Sequence, residues 1–117
     1  MAYEESLVCV TLESSGDLSD YQYRLVKVAT DGQVELCSAA AQAVGVLQNK
    51  PGDEGQAASV AVAGITKLVA ASGVSAGDVL ESAANGVATT LSSGKALAVA
   101  LEDAPDASGI ISAVLII

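Results

Sequence analysis

The chain has 117 residues, with 14 acidic and five basic side chains, no histidine and a net charge of −9. The five basic residues are scattered singly, which argues against a nucleic-acid surface because phosphate binding needs clustered Lys and Arg. Without histidine, the Ser-His-Asp and Cys-His catalytic sets are excluded, and the commonest metal ligand is missing. Composition therefore favours a single acidic domain that is not an enzyme and that carries no cofactor and no metal.

Small residues dominate the apolar content. The sequence has no Phe, no Trp and one Met, although 51% of its residues are hydrophobic. A domain of this kind must bury its apolar area through many Val, Leu and Ile contacts, or between subunits. We therefore expect a thin subunit that is completed by oligomerisation. The acidic start and the short apolar runs predict no targeting signal and no membrane partner, and residues 113–117 are expected to form a buried last strand.

Glycine beside Ser, Asp or Asn punctuates short runs of branched aliphatic residues, as in all-β domains. Asp31-Gly32 and Asn85-Gly86 are the sharpest hairpin signals, because Asn, Asp and Gly tolerate a positive φ. Helix propensity allows one or two helical turns at residues 38–44. The aliphatic runs predict nine strands, in chain order at residues 7–12, 21–28, 33–37, 44–47, 59–70, 78–81, 86–91, 97–101 and 110–117.

A segment at residues 45–64 is echoed 54 positions later. The shift pairs Leu47 with Leu101 and Pro51 with Pro105, and it pairs Val60 with Val114. Each copy is typical of a short strand, a Pro/Gly turn and a strand that returns beside the first. Small residues alternate with large ones in these strands, which favours a small barrel or a compact sandwich. The pattern predicts an all-β domain built of hairpins, with at most one short helix.

The three tyrosines are the candidate interface residues. Tyr3, Tyr21 and Tyr23 lie in the first fifth of the chain, and no aromatic residue follows them. Tyr21 and Tyr23 are expected on one face of a strand, where they either cover the end of the core or form a binding surface. Cys9 and Cys37 each lie in an apolar stretch and are expected to be small buried thiols, with no bridge indicated.

Two other features have a functional interpretation. Lys67 precedes a Gly77-Asp78 element, as the modified lysine of a lipoyl or biotinyl carrier domain precedes such an element, although the surrounding motif matches only in part. The acidic pairs Asp53-Glu54 and Glu102-Asp103, with Asp106, could bind calcium weakly. Their spacing lacks the alternation of a dedicated calcium loop, so solvated turn charges are the favoured interpretation.

The order of the motifs resembles a family of tailed-phage capsid decoration proteins, also called head cement proteins. The resemblance covers residues 20–117 and rests on these runs: YQYRLVKV at 21–28, AVGVLQ at 43–48, PGDEGQ at 51–56, VAVAG at 60–64, AGDVL at 76–80, NGVA at 85–88, AVAL at 98–101 and ISAVLII at 111–117. It implies a barrel-like domain, often described as a β-tulip, at residues 20–117. Residues 1–19 precede the region of resemblance and carry Tyr3 and an apolar strand, so we expect them to form an arm that either contacts the capsid or is swapped between subunits.

The resemblance also implies a function. A member of this family would be a structural virion protein, made in the host cytoplasm, that binds the outer surface of the phage head as a homotrimer. Its partner would be the major capsid protein, and it would stabilise the mature head against the pressure of packaged DNA. Two alternatives remain open at this point: a carrier domain modified at Lys67, and a receptor-binding β module of a tail or fibre.

Overall fold

Nine β-strands and one short 3₁₀ turn make up the described part of the computed structural model, which covers residues 5–29, 31–104 and 109–117, with side chains from Leu7 onward. The all-β class is confirmed, and each predicted strand is found at its expected place in the chain. The elements are β1 (Glu5–Glu13), β2 (Leu25–Val28), β3 (Val34–Leu36), β4 (Gly45–Leu47), β5 (Ala57–Ala70), β6 (Val79–Ser82), the 3₁₀ turn (Ala84–Gly86), β7 (Ala88–Thr90), β8 (Ala98–Ala100) and β9 (Gly109–Leu115).

Five strands close into a barrel, in the order β5-β7-β6-β8-β9, with β9 returning to β5. All neighbours in this ring are antiparallel except β5 and β7, which meet in parallel at Ala70 and Ala88. The barrel core combines buried Leu68, Leu80 and Ile111 with many alanines. Small inward side chains allow a ring of only five strands to close, since the interior of such a barrel is narrow.

The other four strands form a second lobe on the first half of β5. β1 pairs with β5 on one side, while β4, β2 and β3 follow one another from β5 on the other. A parallel bridge between Ser14 and Val34 brings the end of β1 to β3. This lobe has its own small core, formed by Leu18, Val26, Val34, Leu47, Ala58 and Val60.

The 14-residue strand β5 joins the two cores. Successive side chains of a strand point to opposite faces, so neighbouring residues can enter different cores. Val60 packs in the core of the second lobe, whereas Ala61 packs in the barrel core. The same alternation separates Val46 from Leu47 on β4. The sheet of β2, β4 and β5 is therefore a wall with one core on each side.

Both copies of the repeated segment form antiparallel hairpins, as predicted. In the first copy Leu47 lies opposite Val60, and in the second Val99 lies opposite Val114. Leu101, the counterpart of Leu47, lies beyond the end of β8. The two hairpins thus share their strand order and differ in register. Pro105 and Asp106 lie outside the described residues, so the expected turn of the second copy is described only in part.

The hairpin signals are confirmed, and the one or two helical turns that the propensity allows at residues 38–44 do not form. Gly32 has a φ of 79° between β2 and β3, and Asn85 and Gly86 have φ of 60° and 72° between β6 and β7. Residues 38–44 form a turn without helix. Ala40 has a φ of 61°, and its N–H donates to the carbonyl of Ser82. A tertiary hydrogen bond therefore overrides the helix propensity of the alanines.

The two cysteines occupy different environments. Cys37 is buried, as expected, and its thiol donates to the carbonyl of Ala41 at 3.6 Å. Cys9 is exposed on β1, so the expectation of a buried thiol is wrong there. Both are free thiols.

Candidate interaction surfaces

The turn before β2 carries two of the candidate tyrosines. Residues 21–24 were expected to begin a strand, but the strand starts at Leu25 and Tyr23 has a φ of 65°. Tyr23 donates its N–H to the carbonyl of Leu47 at 2.7 Å and accepts from the N–H of Val69 at 2.8 Å. These two bonds tie the turn to β4 and β5, which explains how a bulky residue is held in the left-handed region.

Each tyrosine ring in this turn has a cation above it. The Arg24 guanidinium lies 5.2 Å from the ring centroid of Tyr21, and the Lys67 ammonium lies 5.5 Å from that of Tyr23. Both rings are half-buried. Two of the five basic residues therefore lie on aromatic faces, at distances where cation–π attraction operates. This cationic tyrosine turn, residues 21–24 with Lys67, is a positive feature on an acidic protein.

The candidate interface residues are only partly brought together. Tyr21 and Tyr23 belong to one turn, but they do not share the face of a strand as predicted. Tyr21 packs against the core of the second lobe, while Tyr23 lies under Lys67 of β5. Tyr3 lies outside the described residues. The sequence signal that could have revealed the turn is weak, because the bonds that impose it come from Leu47 and Val69.

The outer edge of β1 is exposed. Along Glu5–Glu13 this strand pairs with β5, and no second strand pairs with that stretch within the described ranges. Val8 is 53% exposed and Val10 is 40% exposed, with the exposed Cys9 between them. Natural edge strands are commonly protected by Lys or Pro, and β1 has neither. The pairing of β1 with β5 shifts register between Glu5 and Val8 and again between Val8 and Cys9, and such irregularities help to protect an edge.

A predominantly apolar hollow of about 370 Å³ lies beside the C-terminal residue Ile117. It is lined by Lys27, Val28, Gln42, Ala43, Val44 and Ile117. The sequence predicted that residues 113–117 form a buried last strand, but β9 ends at Leu115, and Ile116 and Ile117 are 47% and 42% exposed. The apolar run continues without a break to Ile117, so the sequence does not indicate that its last two residues are exposed.

A larger, shallow cleft of about 630 Å³ has an acidic rim. It lies between the end of β1, the β2–β3 hairpin and the turn before β5, and Glu13 and Asp31 contribute its carboxylates. Within the described ranges, no group of three or more His, Cys, Asp or Glu side chains is arranged to hold a metal ion. No helix in the same ranges is long and apolar enough to cross a membrane.

Two acidic side chains, Glu81 and Asp17, accept hydrogen bonds that hold turns. The buried Glu81 carboxylate accepts from the N–H of Gly94 at 2.6 Å and of Ser92 at 3.2 Å, which holds the turn before β8. The Asp17 carboxylate accepts from the hydroxyl and the N–H of Ser19 at 2.7 and 2.9 Å. These bonds favour the charged form and lower the pKa of Asp17 below its ordinary value.

Lys67 lies in the middle of β5, opposite Ser112 of β9. A carrier domain presents its modified lysine in a hairpin, whereas Lys67 is an ordinary strand residue. Its side chain is half-buried, and its ammonium lies over Tyr23. Nothing in this arrangement presents the amine at the tip of a turn. The carrier-domain alternative gains no support from the geometry.

Comparison with known proteins shows a likeness of structure. No protein-family model matches the sequence, and no curated protein matches it. The fold is similar to the N-terminal base of head fiber gp8.5 of bacteriophage phi29, with a TM-score of 0.71 and 20% sequence identity. The match covers 93% of this chain and 93% of that one. At this identity the likeness shows a shared fold across nearly the whole of both chains.

Proposed function

We propose that this chain is a structural protein of a bacteriophage virion, located on the outer surface of the head. The observation that carries the proposal is the fold that it shares, over 93% of its length, with the base of a phage head fiber. The motif order that resembles capsid decoration proteins points to the same location independently. The acidic charge and the lack of a catalytic set of side chains are compatible with a structural role.

In this proposal the partner is the major capsid protein, and the chain acts as a homotrimer. Packaged DNA pushes the shell outward, and a protein that bridges neighbouring capsid subunits adds contacts that exist only in the mature lattice. A ligand that binds one state of an assembly stabilises that state by RT ln(1 + [L]/Kd), which is about 2.7 kcal/mol at 100 times Kd. Contacts repeated over the whole shell would therefore raise the resistance of the head to expansion.

The cationic tyrosine turn is one proposed contact of this assembly. Tyr23 has a backbone conformation that glycine adopts more easily, at a cost of order 1–3 kcal/mol for a side chain that stays there. A tyrosine at a position that glycine would occupy with less strain supports an interface role for its ring, since tyrosine and arginine are enriched at binding hot spots. Half-buried rings under Arg24 and Lys67 leave apolar and cationic surface for an acidic segment of a partner.

The arm at residues 1–19 is the second proposed contact with the capsid. The observation that supports it is the exposed outer edge of β1, which pairs with no second strand within the described residues and so can accept an added strand. Val8 and Val10 supply apolar side chains on that edge. Replacing both with lysine would protect the edge as natural sheets do, and should weaken binding to heads without unfolding the domain.

A co-sedimentation assay tests the proposed function. The purified chain is mixed with heads of the phage that encodes it, prepared without this protein, and the bound fraction is measured against concentration. Saturable binding to expanded heads supports the proposal, whereas no binding contradicts it. Heads with the chain bound should also survive heating or chelation at levels that disrupt bare heads.

The tyrosine contact is tested in the same assay with Tyr21→Ala and Tyr23→Ala. Both variants should weaken assembly, measured as head binding and as the oligomer in solution, more than they lower the melting temperature. Leu91→Ala, at a side chain 37% exposed just after β7, is the control and should change neither quantity. Losses of assembly that merely parallel the losses of stability would assign the rings to the core instead.

A further inference from the structure

The sequence contains two asparagines, and one of them is followed by glycine. In an Asn-Gly pair the backbone nitrogen of the glycine can attack the side-chain carbonyl carbon of the asparagine, because no glycine side chain shields that nitrogen. Asn85-Gly86 is this pair, and it lies in the hairpin between β6 and β7. Asn85 is exposed, so water reaches its amide group. The chemistry of this pair therefore suits spontaneous deamidation.

Deamidation would proceed in two steps. In the first, a bond forms between the Gly86 nitrogen and Asn85 Cγ, the Cγ–Nδ2 bond breaks, and the Gly86 proton leaves with the side-chain nitrogen as ammonia. In the second, water opens the five-membered imide at one of its two carbonyl carbons. The products are aspartate and isoaspartate, and each adds one carboxylate to the chain. Water is the one co-reactant, so the reaction needs no enzyme.

The fold keeps the attacking nitrogen out of this reaction. Gly86 N–H donates to the carbonyl of the buried Cys37 at 2.9 Å, so an acceptor inside the protein holds its proton. Asn85 has a φ of 60° and a ψ of 30°, and its carbonyl accepts from the Arg24 guanidinium at 3.2 Å. Gly86 is packed so closely that a Cβ would lie 2.3 Å from the carbonyl oxygen of Leu25. Rotation of this backbone toward ring closure therefore requires the hairpin to open.

We infer that Asn85 is a deamidation site that reacts when the β6–β7 hairpin opens and Gly86 leaves the Cys37 carbonyl. Local openings of this kind belong to the native ensemble, and hydrogen exchange detects them amide by amide. The fraction of open molecules then sets the rate of modification. The hydrogen bond and the tight packing should slow the reaction of the folded chain roughly 10-fold or more relative to the unfolded chain. This chemistry is independent of the proposed virion role.

Modification would change the surface beside the cationic tyrosine turn. The new carboxylate would lie near Arg24, whose guanidinium already reaches residue 85 and lies over the Tyr21 ring. A negative charge at this position would offset the positive charge of the turn. Isoaspartate also inserts a methylene group into the backbone, which alters the spacing that places Gly86 against Leu25. The modified hairpin should therefore be less stable than the original one.

The test compares deamidation of the chain in buffer and in denaturant, at the same mildly alkaline pH. Peptide mapping by mass spectrometry follows the conversion of the Asn85 amide to the acid. A synthetic peptide of residues 82–90, in the same two solutions, corrects for any direct effect of the denaturant. Asn49 is the control within the chain, since Lys50 follows it and its side chain bonds to two backbone groups of β5. It should stay largely unmodified in both solutions.

Hydrogen exchange at the Gly86 amide, followed by NMR, measures the opening of the hairpin in the same samples. Concentrations of denaturant below the global unfolding transition should raise the exchange rate and the deamidation rate by the same factor. The two rates should agree in this way because one opening exposes both the proton and the nitrogen. Residue Gly32, in the β2–β3 hairpin, provides a second amide for comparison, since its N–H donates to the Ala29 carbonyl at 3.1 Å.

The outcomes decide between a site controlled by the hairpin and other behaviour. A folded chain that deamidates at Asn85 roughly 10-fold or more slowly than the unfolded chain, with a protected Gly86 amide, supports the inference. A folded chain that reacts as fast as the unfolded one overturns it, because the bond to Cys37 would then give no protection. Deamidation and exchange rates that change independently overturn it too. So does an unfolded chain in which Asn85 stays as intact as Asn49.

Discussion

Replacing Gly45 by alanine should be among the most damaging single-methyl changes in this chain. Gly45 opens β4, where a Cβ would lie 2.1 Å from the carbonyl oxygen of Ala61 and 2.7 Å from a methyl group of Val60. The close approach involves backbone, so no side-chain rotation relieves it. An ordinary contact needs more than 3 Å, so β4 and β5 must separate by roughly 1 Å.

The loss of folding stability from such a separation can be calculated. The bond from Gln48 N–H to the Ser59 carbonyl is 2.7 Å long and would stretch beyond the hydrogen-bonding range. Loss of two or three ladder bonds at about 1 kcal/mol each, with about 1–3 kcal/mol of overpacking strain, gives a destabilisation of about 3–6 kcal/mol. For a chain of this length, that corresponds to a fall in Tm of roughly 10–20 °C.

Thermal and denaturant unfolding, followed by circular dichroism, provide the assay. Gly52→Ala is the matched control: its added Cβ meets only the Gln56 side-chain oxygen at 3.8 Å, in ordinary contact. It should change stability by less than about 1 kcal/mol. A Gly45→Ala variant within about 1 kcal/mol of Gly52→Ala would refute the close β4–β5 approach and the wall between the two cores that depends on it.

The remaining predictions concern polar groups that hold turns. Glu81→Ala should destabilise the fold by about 2–4 kcal/mol in denaturant unfolding, since it leaves the Ser92 and Gly94 N–H groups without their acceptor. Glu81→Gln should cost less, because its amide oxygen still accepts; equal losses would contradict the hydrogen-bonding account. Ser19→Ala should raise the pKa of Asp17 toward its ordinary value, measured by NMR titration, and an unchanged pKa would contradict the assigned cause. Because the pKa of Asp17 is lower in the folded than in the unfolded chain, its charged form stabilises the fold at pH values above the ordinary pKa of an aspartate. This stabilisation is lost as the pH falls through the pKa of the folded state.

The local sequence pattern was sufficient to predict the strands and most of the turns. Glycine beside Asp or Asn marks the hairpins at Gly32 and Gly86, and the branched aliphatic runs mark all nine strands, because both signals act within a few residues. The same reasoning failed where distant backbone groups impose the conformation. Ala40 and Tyr23 are held at positive φ by hydrogen bonds to residues far along the chain, which no local propensity records.

Closure of the barrel also depends on contacts between residues that lie far apart in the sequence. A single parallel pairing, between Ala70 and Ala88, completes the ring, and the sequence pattern left barrel and sandwich open. The interaction surfaces were predictable only in part. Composition singled out Tyr21 and Tyr23, whereas the exposure of Val28 and Ile117 follows from where neighbouring strands end. Aliphatic residues at strand ends have the same sequence pattern whether they face a core or solvent.

The most direct measurement of the proposed virion role is cryo-electron microscopy of heads of the phage proposed to encode this chain, prepared without the chain and then incubated with it. We expect added density of the size of this domain, grouped in threes as the proposed homotrimer requires, on the outside of the expanded shell. The same heads should show no such density before incubation. Heads that remain bare at saturating protein, together with virions in which mass spectrometry finds no trace of the chain, would contradict the account.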